Sequence, residues 1–135
     1  MALASDLMGL GLPPLIASHI AEGGIGPLTI TAAGTTFATS TRLGVNQQVV
    51  ACSTAGGSAG AAIALPAVGG DNGCLLADPF VVCNTTSSQS LVVYASSGVV
   101  ITGGATQDSK ITVPVFTTML LTPLSTTSWG AIKGA

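Results

Sequence analysis

The chain has 135 residues and a net charge of −2, because only three Lys or Arg and five Asp or Glu residues are present beside a single histidine. So few ionisable groups disfavour acid–base, nucleophilic and metal catalysis, and so weak a positive field disfavours a nucleic-acid partner. The length fits one domain, and 47% hydrophobic residues with so little charge favour a protein whose surface is partly covered by other chains.

The first 24 residues differ from the rest. Ser5 is a good N-cap for a short helical turn, Pro14 suits the first turn of a second helix, and Gly23-Gly24 supplies its stop. We predict a short helical N-terminal arm over residues 1–24. The arm's apolar residues are the predicted partner contacts: Leu7, Met8, Leu10, Leu12, Leu15, Ile16 and Ile20.

From residue 25 to 135 we predict one β domain, since short runs rich in Thr, Val and Ile alternate with Gly, Asn, Asp and Pro. Alternating strand and helix units are absent, which favours an antiparallel β-sandwich or jelly-roll-like domain over a parallel sheet. The predicted strands are 28–32, 36–43, 47–53, 61–65, 80–84, 90–94, 99–102, 110–115, 117–121 and 128–132.

The segment from Ala55 to Gly70 has almost no large side chains. It is either an exposed loop with one short strand or a stretch that packs closely against another backbone. Its glycine density favours the loop.

Two motifs invite a catalytic interpretation. Gly56-Gly57-Ser58-Ala59-Gly60 fits the G-x-S-x-G pattern of a serine nucleophile, but His19 precedes the serine and no helix pattern follows it, so we predict no esterase. Asp71, Asp78 and Asp108 offer a pair of carboxylates, although each lies in turn-like or strand-start sequence, and we predict turn roles.

No metal or other cofactor is predicted. Cys52, Cys74 and Cys83 have no C-x-x-C spacing and flank apolar residues, which predicts three buried thiols and leaves one disulfide possible. Trp129 is either a core residue or a subunit anchor, and the core is favoured. No membrane partner is predicted, because the long uncharged stretch from Leu43 to Gly70 contains Asn, Gln and repeated Gly.

Two segments resemble a known class of protein. These are the opening SDLMGLGLPP, residues 5–14, and LVVYASSGVVITGGATQDSKITV, residues 91–113, followed by Trp129. They are similar to small virion proteins of tailed bacteriophages of the capsid decoration, or cement, kind. Such proteins are typically trimeric and sit on the outer shell.

The resemblance implies a viral structural protein that forms a homotrimer and binds the major capsid protein. It implies a location on the capsid surface of the virion, after assembly in the host cytoplasm. The alternative hypothesis is a receptor- or glycan-binding module of a tail fibre or baseplate.

Overall fold

The computed structural model describes residues 28–45, 47–70, 73–103 and 106–134. In these ranges every regular element is a β-strand, apart from one turn of 3-10 helix at Gly57–Ala59, so the prediction of a mainly β protein is confirmed. The strands are β1 (Leu28–Ala32), β2 (Thr41–Arg42), β3 (Val49–Thr54), β4 (Ala62–Ala64), β5 (Phe80–Asn84), β6 (Leu91–Tyr94), β7 (Val100–Gly103), β8 (Thr106–Asp108), β9 (Lys110–Val113), β10 (Thr118–Ser125) and β11 (Ser128–Lys133).

The strands form two sheets that share one hydrophobic core. The seven-stranded sheet has the order β1-β3-β5-β10-β11-β7-β8, and the four-stranded sheet has the order β2-β4-β6-β9. One cluster of buried side chains includes Phe80, Val82 and Trp129 from the larger sheet and Ile63 and Val93 from the smaller. The core is therefore built by both sheets together.

The first six strands wind as a coil. They alternate between the two sheets. In one sheet β1 pairs in parallel with β3 and β3 with β5, and in the other β2 pairs in parallel with β4 and β4 with β6. Leu28 lies beside Val50, 22 residues later, and Val50 lies beside Val82, a further 32 residues on. Because the turns of the coil differ in length, the sequence shows no repeat of fixed period.

The predicted antiparallel arrangement is right for four of the nine strand pairings and wrong for the other five, which are parallel. Parallel neighbours need a long crossover, which is usually a helix, and the sequence has no helix pattern there. In this protein the crossover from β1 to β3 runs through β2 of the other sheet, and that from β3 to β5 runs through β4. A strand in the second sheet replaces the expected helix.

Most strands lie close to their predicted positions, and β1 and β5 match them at both ends. The predicted strand at 36–43 is shorter, because Thr39 Oγ1 accepts hydrogen bonds from the backbone N–H groups of Thr35 and Thr36 and makes that part a turn. The strand at Thr106–Asp108 is not among the predicted ones.

The segment from Ala55 to Gly70 is mainly not an exposed loop. All three residues of β4 are buried, and Gly60, with a φ of +82°, lies so close to Gly34 that a Cβ would sit 2.1 Å from its carbonyl oxygen. The close-packing interpretation is therefore correct here. Small residues are needed because two backbones approach each other.

The predicted helical arm over residues 1–24 lies outside the described residues, which begin at Leu28. The same holds for the seven predicted contact residues: Leu7, Met8, Leu10, Leu12, Leu15, Ile16 and Ile20.

Candidate functional site

An uninterrupted row of aliphatic side chains crosses the outward side of the seven-stranded sheet. Val49 on β3 pairs with Val81 on β5, Val81 pairs with Leu120 on β10, and Leu120 pairs with Ile132 on β11. Ile132 is 68% exposed, and Val49 and Leu120 are also exposed. Four neighbouring strands thus present apolar side chains to solvent at the same level of the sheet.

The sequence of β10 explains why this face is apolar. Its burial alternates, with Met119, Leu121 and Pro123 turned inward and Leu120 and Leu124 turned outward. A strand with one solvated face usually carries polar residues at the outward positions. In β10 the outward positions are occupied alternately by threonine and leucine, so Leu120 and Leu124 are exposed where polar residues are usual.

Two further exposed leucines lie before the start of β5, near the end of β10 that carries Leu124. Leu75 and Leu76 precede β5 in a turn that is tied to β10 by a 3.0 Å hydrogen bond from the Ala77 N–H to the Pro123 carbonyl. Both leucines are exposed. We call the whole set the aliphatic face, and its members are Val49, Leu75, Leu76, Val81, Leu120, Leu124 and Ile132.

The turn that carries these leucines is held by Asp78. Its Oδ2 accepts a 3.2 Å hydrogen bond from the Leu75 N–H, and its N–H donates to the Leu75 carbonyl. The turn role predicted for Asp78 is confirmed. Asp108 has the same kind of role, since its Oδ1 accepts a 2.6 Å hydrogen bond from the Ser109 N–H, whereas Asp71 lies outside the described residues.

None of the seven members of the aliphatic face is ionisable. Single exposed apolar residues are ordinary, but contiguous apolar patches mark surfaces that bind other proteins or membranes. The arrangement is suited to burying mainly neutral surface against a partner, with Asp78 in the turn of Leu75 and Lys133 after Ile132 as neighbouring charged residues.

The start of the described chain lies next to this face. Leu28, the first residue of β1, pairs with Val50 on β3. The residue before Val50 is Val49, which lies at the end of the row. The chain before Leu28, which contains the predicted contact residues, therefore joins the fold beside the aliphatic face.

The motifs weighed for catalysis do not converge in the described residues. Ser58 is exposed in the 3-10 helix Gly57–Ala59, which is followed by β4 and not by the α-helix of a nucleophile elbow. His19 lies outside the described residues. Within the described ranges, no group of three or more His, Cys, Asp or Glu side chains is placed to hold a metal ion.

The three thiols are free. Cys52 and Cys74 are buried as predicted, whereas Cys83 is only half-buried because it lies on the outward side of β5. Burial raises the pKa of Cys52 to about 12, with a smaller contribution from Cys83 on the neighbouring strand. Burial also raises the pKa of Cys74, with a smaller raising contribution from Asp78 opposed by a backbone hydrogen bond. Neither buried thiol is suited to act as a nucleophile.

Trp129 is a core residue, as predicted. Its side chain is fully buried on β11, among the largest side chains of the core. The alternative role as a subunit anchor is wrong, since no part of it reaches the surface of the chain.

The remaining aromatic side chains form no stacking platform for a sugar. Phe37 lies under the Arg42 guanidinium, whose carbon is 4.5 Å from the ring centroid. The hydroxyl of Tyr94 donates a 2.8 Å hydrogen bond to the Thr35 carbonyl. Phe116 is exposed beside Val115 in the turn between β9 and β10.

The role of Asn84 was not predicted from the sequence. This buried side chain donates from Nδ2 to the carbonyls of Gln89, Val113 and Pro114 at 3.0, 3.2 and 3.2 Å, and its Oδ1 accepts from the Thr86 N–H. It joins the end of β5 to the segment before β6 and to the end of β9. An asparagine in an apolar β-strand pattern was the available signal, because a buried amide needs partners.

Among the described residues no helix is long and apolar enough to cross a membrane. Comparisons of the chain with protein-family models, curated proteins and solved structures gave no match.

Proposed function

We propose that this chain is a viral structural protein, a capsid decoration (cement) protein that self-associates as a homotrimer and binds the major capsid protein on the head of a tailed bacteriophage. It acts on the capsid surface of the virion, after assembly in the host cytoplasm. The observation that carries the proposal is the charge-free aliphatic face. The resemblance of residues 5–14 and 91–113 to such proteins supports the choice of partner.

The shell contact in this proposal consists of the N-terminal segment and the aliphatic face together. Leu28, the first described residue, lies on β1 next to β3, and β3 carries Val49 at the end of the row. Burying one Leu or Ile side chain contributes roughly 1.5–3 kcal/mol before the costs of association. Leu75, Leu124 and Ile132 contribute most, because they are the most exposed members, whereas Val49, Val81 and Leu120 are already partly buried.

The role is structural and not enzymatic, with no cofactor, nucleic acid or membrane as partner. The scarcity of ionisable groups supports this part. For the fold we propose a β-sandwich, since both sheets contribute to one core. A jelly roll is not proposed, because its strands are antiparallel and five pairings here are parallel.

The test is binding to capsid shells prepared without this protein. Leu120→Lys and Ile132→Lys place a charge in the middle and at the end of the row, and we expect each to weaken binding by about tenfold or more, because a buried unpaired charge is costly. Thr112→Lys is the matched control, since Thr112 is exposed on β9 of the other sheet. Co-sedimentation with shells measures the occupancy.

Deletion of residues 1–24 is the second arm of the test. We expect the truncated protein to keep the β domain, measured by circular dichroism, and to lose shell binding. Full occupancy of shells by the truncated protein and by both lysine variants would overturn the proposal. Antibody labelling of tails instead of heads on intact particles would overturn it in favour of the tail-fibre or baseplate alternative.

A further inference from the structure

The aliphatic face is more apolar than an ordinary free surface. Leu75, Leu124 and Ile132 are its most exposed members, and Val49 and Leu120 are exposed as well. Soluble proteins rarely leave large contiguous apolar patches in water, because uncovered apolar surface is unfavourable there. We therefore expect the face to be covered in the free protein as well as on a partner.

The described chain starts at one edge of the same sheet. β1 is the edge strand, and its first residue, Leu28, pairs with Val50 on the next strand, β3. Residues 1–27 precede it, and we call them the N-terminal segment. This segment is thus attached to the sheet one strand away from Val49, the first member of the row.

The N-terminal segment is long enough to cross the face. From β1 to β11, the far end of the row, there are four strand spacings, which amount to about 19 Å. Even at the helical rise of about 1.5 Å per residue, 27 residues reach about 40 Å. The attachment at Leu28 therefore lets the segment reach every strand of the row.

The N-terminal segment also suits the face chemically. It contains the seven apolar residues, from Leu7 to Ile20, that the sequence predicts to make contacts, and it has no Lys or Arg. Placing these side chains on the aliphatic face removes apolar surface of both parts from water, and the gain grows with the area buried.

The charges of the two parts are complementary. Lys133 follows Ile132 and is exposed at the end of the row farthest from β1, whereas Arg42 and Lys110 belong to the other sheet. The segment carries two carboxylates, Asp6 and Glu22. Asp6 is far enough along the chain from Leu28 to reach Lys133 when the segment crosses the sheet, and opposite charges at that end favour this direction.

Attachment to the same chain favours this segment over other occupants. A group tethered near its site meets it at an effective concentration on the order of 1 mM, without the entropy cost of bringing two molecules together. We propose that in the free protein the N-terminal segment lies across the aliphatic face of its own chain and leaves it when the shell is bound. The release rests on the proposed function, whereas the contact within the chain does not.

A zero-length cross-link in the intact chain tests the contact. A carbodiimide joins a carboxylate to a lysine amine only where the two groups touch, and it forms an amide with loss of water. We expect Asp6 or Glu22 to be joined to Lys133 and not to Lys110, which is exposed on β9 of the other sheet. In an equal mixture of isotope-labelled and unlabelled protein, both linked peptides should come from the same kind of chain.

Two matched double variants test whether apolar packing holds the segment in place. Ile16→Gln with Ile20→Gln removes two of the predicted contacts, whereas Ala17→Gln with Ser18→Gln makes the same change at two positions outside that set. Neither pair adds a carboxylate or an amine. We expect the first pair to slow cross-linking at Lys133 by at least about tenfold and the second pair to leave the rate unchanged.

Shell binding tests the release. We expect chains linked at Lys133 to bind shells at least about tenfold more weakly than treated chains without the link, because a linked segment cannot leave the face. The inference would be overturned by no link at Lys133, by links that favour Lys110 or join different chains, by an unchanged rate in the Ile16 and Ile20 variant, or by normal shell binding of linked chains. An untreated protein that forms the link but never binds shells would overturn the proposed function and the release, and would leave the contact within the chain in place.

Discussion

The ring of Phe80 on β5 meets the ring of Trp129 on β11 edge to face, with the centroids 5.5 Å apart and the planes at 78°. The pair spans β10, the strand between them, and both rings are fully buried. Among the described residues the Trp129 Nε1 has no hydrogen-bond partner, so packing holds this side chain. The contact is the centre of the core on the side of the larger sheet.

Truncating Phe80 should therefore be costly. We expect Phe80→Ala to lower the free energy of unfolding by about 3–5 kcal/mol, through lost burial and the cavity left beside Trp129. Urea unfolding followed by the fluorescence of Trp129, the only tryptophan, measures this. Phe116→Ala is the same substitution at an exposed position and should change stability by about 0.5 kcal/mol or less. Equal losses at the two positions would contradict the assigned core.

The close approach of two backbones at Gly60 gives a second prediction. Gly60→Ala combines an unfavourable φ with a collision against the Gly34 carbonyl oxygen, whereas Gly98→Ala has a similar φ of +78° and nothing within 4 Å of the new Cβ. We expect Gly98→Ala to cost about 1–2 kcal/mol and Gly60→Ala clearly more. Thermal unfolding of both variants measures the difference. Similar losses would mean that the segment around Gly60 is not packed against Gly34.

The buried amide of Asn84 gives a third prediction. Asn84→Ala leaves the carbonyls of Gln89, Val113 and Pro114 without their donor, and we expect a loss of about 2–4 kcal/mol. Asn84→Asp should also destabilise, because a carboxylate cannot donate to these carbonyls. Chemical denaturation measures both losses, with Ser88→Ala in the exposed segment after β5 as reference. A stability unchanged in both Asn84 variants would show that the amide does not hold the turn.

The raised pKa of the Cys52 thiol determines how this residue makes the free energy of unfolding depend on pH. Its pKa is raised from 9.0 to about 12, first by burial and then by Cys83, so the unfolded chain loses the proton near pH 9 while the folded chain keeps it until about pH 12. The stabilisation that Cys52 contributes is therefore present in full below pH 9 and is lost as the pH rises from 9 to about 12.

We therefore expect the free energy of unfolding to fall less between about pH 8 and about pH 10.5 in Cys52→Ala than in the wild type. Val50→Ala, an inward truncation on the same strand with no titrating group, should keep the wild-type fall. Denaturant titrations at the two pH values measure both. A fall in Cys52→Ala as steep as in the wild type would contradict the assignment.

Features that depend on a few neighbouring residues could be predicted from the sequence, and features that depend on contacts between strands could not. The strand positions of β1 and β5, the inward place of Trp129 and the turn role of Asp78 were predictable, because alternation, side-chain size and turn chemistry are properties of a few neighbouring residues. The aliphatic face was not predicted. Its four central side chains come from four strands and meet only through the pairing of those strands.

By itself the sequence determined that this protein is mainly β and poor in charge, since composition and local periodicity are enough for that. Only the tertiary structure decided that the first six strands form a parallel coil and that Leu120 and Ile132 share an exposed surface. The physical reason is that the parallel pairs of the coil join residues 22 or more positions apart, such as Leu28 with Val50, and that Leu120 meets Ile132 only through the pairing of β10 with β11. Local patterns carry no information about the partner or direction of a strand.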